Sequence, residues 1–115
     1  MNMKCAMLMT LSCLGCTAPA KAAPTTSAGE ISVAQVVELI QRSSSETAAR
    51  NAAMAYLAGV GEATGLLVKK TCARPLGISS EAALAAFAHT EKSRWGQMAA
   101  TPILVNDMLS RASCR

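Results

Sequence analysis

This sequence predicts an all-α fold, a small four-helix domain with one disulfide, following an N-terminal signal peptide. Three observations carry that expectation. Apolar residues recur at helical spacing, and no stretch alternates with a period of two. Helix-start residues precede the periodic runs, as at Ser32, Ser79 and Thr101-Pro102. Once the first 22 residues are set aside, Cys72 and Cys114 are the only thiols left.

Residues 1–22 have the layout of an export signal. Lys4 gives a short positive start, residues 5–16 are uncharged and mostly apolar, and Ala20-Lys21-Ala22 places small residues where a signal peptidase reads. The apolar run is shorter than the roughly 20 residues that cross a bilayer. Leu14-Gly15-Cys16 is also a loose lipobox, with Cys13 where a Leu is usual, so lipidation of Cys16 competes with cleavage after Ala22. A buried N-terminal helix is the third reading. Residues 23–30 are small, polar and Pro-containing, which reads as a flexible leader.

The helical domain then covers 31–115. Its first helix is expected over 32–42, capped by Ser32, with Val33, Val36, Val37 and Ile40 on one face. Ser43-Ser44-Ser45 breaks the period. A second helix over 46–67 carries the stripe Ala53, Leu57, Val60, Thr64 and Leu67, flanked by Met54 and Tyr56. Gly59, Gly61 and Gly65 lie in this helix, each costing up to ~1 kcal/mol against Ala. Tyr56 and Gly59 read as a helix-packing motif, the glycine allowing a neighbour to approach. Lys69 and Lys70 follow the helix C-terminus, where positive charge suits the dipole.

Pro75 and Gly77 interrupt the chain before a third helix, capped by Ser79 or Ser80 with Glu81 in its first turn. Leu84, Phe87, Ala88 and Glu91 follow at helical spacing, and Gly96 ends this region. The fourth helix is expected to take Thr101 as cap and Pro102 as its first residue, burying Val105, Met108, Leu109 and Ala112.

Removal of residues 1–22 from the 115 leaves 93, enough for one domain. The 11 basic residues lose Lys4 and Lys21, leaving 9 against 7 acidic ones, a net charge of +2. With no basic run interleaved with aromatics, nucleic acid is not an expected partner. Tyr56, Phe87 and Trp95 are the only aromatics, and so small a core usually needs a staple. In an oxidising compartment Cys72 and Cys114 supply it, removing about 4 kcal/mol of denatured-state freedom in the chain-entropy model. A metal pair would need more ligands than one His and two distant Cys, and a redox pair usually shows C-x-x-C spacing.

Catalytic and cofactor residues are not expected. His89 reads as a surface residue, and the carboxylates Glu38, Glu46, Glu62, Glu81, Glu91 and Asp107 are spread over different helices. The chain has no phosphate loop, metal-ligand cluster or dinucleotide fingerprint. Met54, Met98 and Met108 read as gap-filling core. Trp95, beside Arg94 and Gly96, either covers the edge of the core or anchors a partner, a role in which Trp and Arg are over-represented.

Three elements of 53–114 together form a pattern: Ala55-Tyr56-Leu57-Ala58-Gly59-Val60 in one helix, Cys72-Ala-Arg-Pro-Leu-Gly-Ile-Ser79 before a capped helix, and a last helix from Thr101-Pro102 to Cys114. This stretch, about two-thirds of residues 23–115, resembles the Tai-type family, periplasmic immunity proteins that neutralise peptidoglycan amidases delivered by type VI secretion. The chain departs from the pattern with Ala55 before the tyrosine and with Lys92-Ser-Arg-Trp95 in place of a His-Pro between the last two helices. The resemblance implies a helical, disulfide-bonded periplasmic protein that occludes the active cleft of a secreted effector, with Arg94 and Trp95 as candidate contacts. The chain is also similar to the disulfide-clasped acid chaperone HdeA, which implies a stress chaperone instead. Lipidation at Cys16 would make it a membrane-anchored accessory component of a secretion system. A second copy of the chain, as a homodimer, stands beside these as a candidate partner.

Overall fold

The computed structural model describes residues 23–115, so the signal peptide and the Cys16 lipobox lie outside the described residues. Within them the chain is helical and has no strand: α1 Val33–Arg42, α2 Thr47–Leu67, α3 Ser80–Ala88, a 3-10 turn Lys92–Gln97, and α4 Ala100–Arg111. α1 packs on α2, α3 and the 3-10 turn, while α4 packs on α2 and α3. Phe87, Leu104, Met108, Val33 and Val36 are the largest fully buried apolar side chains of the core.

α1 follows its sequence pattern closely. Val33, Val36, Val37 and Ile40 are all buried. Ser32 Oγ accepts from the Gln35 N–H (3.1 Å) and Gln35 Oε1 accepts from the Ser32 N–H (2.9 Å), a reciprocal capping box. The next link is tertiary. Val33 N–H donates to the Met98 carbonyl (2.8 Å) and Ala100 N–H to the Ile31 carbonyl (3.0 Å). Val33 and Ala100 are the first residues of α1 and α4, so each helix loses one of its unpaired N–H groups to the segment leading into the other.

That stitch corrects the expected start of α4. Ala99, not Thr101, is the N-cap, and Thr101 and Pro102 lie one and two residues inside the helix. Pro102 is tolerated there because first-turn N–H groups have no intrahelical acceptor. The buried face is also rotated. Ala100, Leu104, Met108 and Ala112 are buried, whereas Val105 and Leu109 are only partly so.

α2 buries Ala53, Leu57, Val60 and Thr64 as its stripe requires, but not Leu67. Leu66 and Leu67 are 83% and 80% exposed. Met54 is exposed rather than core-filling, while Met98 packs partly buried against the core. Among the described residues a Cβ at Gly59 would meet nothing within 4 Å, so no neighbouring helix closes on it as expected. At Gly61 it would rest 3.7 Å from the Gly77 Cα, an ordinary contact.

α3 starts at the Ser79 cap, whose hydroxyl accepts from the Ala82 N–H (3.1 Å), and buries Ala83, Ala86 and Phe87. Ala88 is exposed, and Gly96 lies inside the 3-10 turn rather than ending a longer α3. The expected flexible leader is tied down instead. Thr26 is buried, the turn Thr26–Glu30 closes through Thr26 N–H to Glu30 O (3.0 Å), and the Ser32 hydroxyl donates to the Pro24 carbonyl (2.7 Å). Gly29 takes the left-handed conformation (φ 79°) that this turn needs and that glycine adopts without penalty.

Candidate functional site

The 3-10 turn between α3 and α4 carries the residues expected to meet a partner. Trp95 is half-buried at the core edge, and its indole Nε1–H donates to Thr90 Oγ1 (2.8 Å). The Thr90 hydroxyl in turn donates to the Phe87 carbonyl (2.6 Å). A buried indole N–H needs such an acceptor. The chain indole, threonine, α3 backbone therefore fixes the ring against the helix that supplies the largest core side chain. Lys92 Nζ stands 5.8 Å from the ring centroid, within cation–π range.

Arg94 is exposed, and among the described residues its guanidinium has no ion-pair partner. Its backbone N–H donates to the Glu91 carbonyl (3.0 Å), and the Ser93 hydroxyl donates to Glu91 Oε1 (3.0 Å). The turn is thus held by its own backbone and by Trp95, while two cationic side chains face out. Trp95 covers the core edge and stands at the surface together. Thr90, which fixes the ring, was not singled out from the sequence; its place five residues before a tryptophan carries no recognisable signal.

Tyr56 joins α2 to α4 through a hydroxyl pair with Thr101 (2.8 Å). Burial is the main influence on its hydroxyl and raises its pKa above the ordinary tyrosine value, against the opposing effect of the Thr101 hydrogen bond. Behind this pair an apolar groove of about 210 Å³ runs between the end of α2 and α4, lined by Val60, Ala63, Thr64, Leu67, Val68 and Val105.

Cys72 and Cys114 form the disulfide, across 42 positions of sequence. Backbone pairing surrounds it. Arg115 N–H donates to the Thr71 carbonyl (3.0 Å), Thr71 N–H to the Arg115 carbonyl (3.3 Å), and Ala73 N–H to the Ala112 carbonyl (2.9 Å). Arg74 adds a guanidinium bond to the Arg111 carbonyl (2.8 Å).

Two of the dispersed carboxylates meet. Arg42 donates to Glu38 Oε1 (3.3 Å), one turn back in α1, and to Glu46 Oε2 (2.6 Å), the N-cap residue of α2. The hydrogen bond to Glu46 raises the Arg42 pKa, and the same bond holds the Glu46 carboxyl below the usual range. The i, i+4 spacing of these three residues was readable in the sequence. An acid–base pair would need a proton acceptor free to act, and here both carboxylates accept from one arginine. His89 is exposed at the end of α3. Among the described residues no group of His, Cys, Asp and Glu could hold a metal ion, and no helix is long and apolar enough to cross a membrane.

Comparison of the chain with family models, with curated proteins and with solved structures found no match.

Proposed function

We propose that this protein is an exported, periplasmic immunity-type binding protein that neutralises a secreted cell-wall-degrading effector by plugging its active cleft. The observation that carries the reading is the Lys92–Gln97 turn. A tryptophan locked to Thr90 and an exposed arginine form a ledge on a disulfide-closed helical frame. A pre-ordered aromatic anchor loses little entropy on binding, and Trp and Arg are over-represented among the residues that dominate protein interfaces. The resemblance of 53–114 to immunity proteins against peptidoglycan amidases names the class of partner. Such a protein works by buried contact area alone, so it needs no catalytic group or cofactor.

The test is co-purification with secreted hydrolases encoded beside it, followed by protection of cells from the one that binds. Arg94→Glu should weaken that complex by roughly 30-fold or more, the range of an interface hot spot. Failure to bind or protect against any neighbouring hydrolase discards the reading.

A second reading, an acid chaperone, draws on the exposed Leu66 and Leu67 and the apolar groove beside them. It requires suppression of client aggregation at acid pH, and no suppression removes it. Sedimentation at working concentration decides whether a second copy of the chain occupies these surfaces instead. Intact mass of exported material separates cleavage after Ala22 from lipidation at Cys16.

A further inference from the structure

We propose that Glu38 is the receptor for the chain's own new N-terminus, the α-ammonium group made when the Ala22–Ala23 bond is cut. The proposal rests on the export reading above and adds to it a site that processing completes.

The geometry lies in residues 23–26. The Ala23 nitrogen donates to Glu38 Oε2 at 2.8 Å. Its position is imposed rather than incidental. The next residue, Pro24, has its carbonyl bound by the Ser32 hydroxyl (2.7 Å), and Ser32 is the fully buried cap of α1. Thr26 is buried and closes its own turn, its hydroxyl accepting from the Glu30 N–H (3.1 Å). The serine that starts α1 therefore also delivers the nitrogen of residue 23 to a carboxylate on the second turn of that helix. A cavity of about 170 Å³ adjoins the contact, walled by the apolar Ile31 and Leu39 beside Gln35, Glu38 and Arg42.

In an uncut chain the Ala23 nitrogen is an amide with one N–H and no charge. Hydrolysis consumes one water, leaves a carboxylate on Ala22 and frees an amine on Ala23, which takes up a proton at neutral pH. The agent is an endopeptidase that reads small residues such as Ala20 and Ala22. The contact, already assisted by the charge of the carboxylate, then carries opposite charges on both partners and becomes an ion pair as well as a hydrogen bond. The neighbouring charges suit a cation at this point. Glu38 gives Oε1 to Arg42, and Arg42 is shared with Glu46, so the order becomes ammonium, Glu38, Arg42, Glu46, alternating in sign throughout. Glu30, which accepts from the Thr26 hydroxyl (3.4 Å), is the other charged group on this turn and is also acidic.

The experiment uses the full chain, expressed with its own N-terminus and recovered from the cell envelope. Intact mass and N-terminal sequencing should give Ala23–Arg115. The α-amine of that material should titrate about half to one unit above its ordinary value of about 7.7–8.0, through the opposite charge beside it. Its acylation at pH 7 should be about three- to tenfold slower than in a Glu38→Gln variant, the kinetic counterpart of that shift. Glu62→Gln should change neither. A first residue other than Ala23 overturns this proposal and leaves export standing, whereas an uncut chain retained in the cytosol removes the export reading and this proposal with it. Cleavage at Ala23 with an amine that titrates at its ordinary value overturns this proposal and leaves export standing. The wild-type titration alone decides the matter if Glu38→Gln fails to fold.

Discussion

Where α4 begins, it lies beside the start of α1, and each helix finds a carbonyl of the other's lead-in segment for its first N–H. Ser32 is fully buried there with every bond made, surrounded by Val33, Val36 and Ala100 at zero exposure. Where α4 ends, the chain meets residues 71–74 through backbone pairs and the Cys72–Cys114 bond, next to an α2 terminus that leaves Leu66 and Leu67 in water. One end is held by burial and capping, the other by a covalent link. The difference shows what a small, aromatic-poor core can do. It can enclose one end of its helices, and a segment beyond its reach is retained by closing the loop chemically.

The sharpest way to break that contrast is to open the clasp. Cys72→Ala with Cys114→Ala should cost about 4 kcal/mol in the chain-entropy model, read as a lowered denaturation midpoint. Hydrogen exchange in the double variant should rise first at residues 71–74 and 112–115, and much less at Val33 and Ala100. Equal loss at both ends would show that the clasp supports the whole bundle.

The next effect belongs to the capped end. Ser32→Ala removes the cap acceptor and the donor to Pro24, and should cost about 1–2 kcal/mol. Its exchange pattern should be the reverse, with Val33 and Ala100 losing protection while the clasp is unchanged.

Tyr56→Phe, between the two ends, should cost about 1 kcal/mol by stranding the Thr101 hydroxyl. It also carries a pH signature. The folded-state pKa of Tyr56 is raised, so its contribution is intact below the ordinary value of about 10 and is lost as pH rises through the folded value. Urea midpoints measured from neutral to alkaline pH should fall more steeply in the wild type than in the phenylalanine variant.

The smallest effect is a gain at the clasp. Ser113 has φ 52°, and it ends α4 with its N–H on the Ser110 carbonyl (3.1 Å) and the Cys114 N–H on the Leu109 carbonyl (3.1 Å). This is the left-handed closing motif in which glycine is usual. Ser113→Gly should stabilise by about 0.5 kcal/mol, a small net gain from relieving the left-handed strain. Loss of stability instead would mean that the serine limits the unfolded chain more than it strains the folded one.

How much was legible varied with how local the cause was. α1 was legible in its Ser32 cap and its apolar face, which lie within nine residues of one another, while the reciprocal bond from Gln35 came from the structure. The cap of α3 was narrowed to Ser79 or Ser80, of which the structure uses Ser79, and the expected Cys72–Cys114 pairing is present. The start of α4 was not legible, because a carbonyl 69 positions earlier, at Ile31, satisfies Ala100 and moves the first turn upstream of Pro102. That in turn buries Leu104 rather than Val105, a rotation of one position around the helix. The ledge of Trp95 was recognisable as a candidate by residue type, but its fixing by Thr90 depends on a turn whose 3-10 winding has no periodicity to read.

The sequence by itself determined that the chain is helical, where α1 begins and, to within one residue, where α3 begins, because capping and periodicity act over one or two turns. Tertiary structure alone decided which face of α4 is buried, that Leu66 and Leu67 at the end of α2 stay in solvent, and that residues 23–30 fold back onto α1. Those outcomes depend on which backbone and side-chain groups from distant segments arrive within hydrogen-bond or van der Waals reach, and spacing along the chain does not encode that.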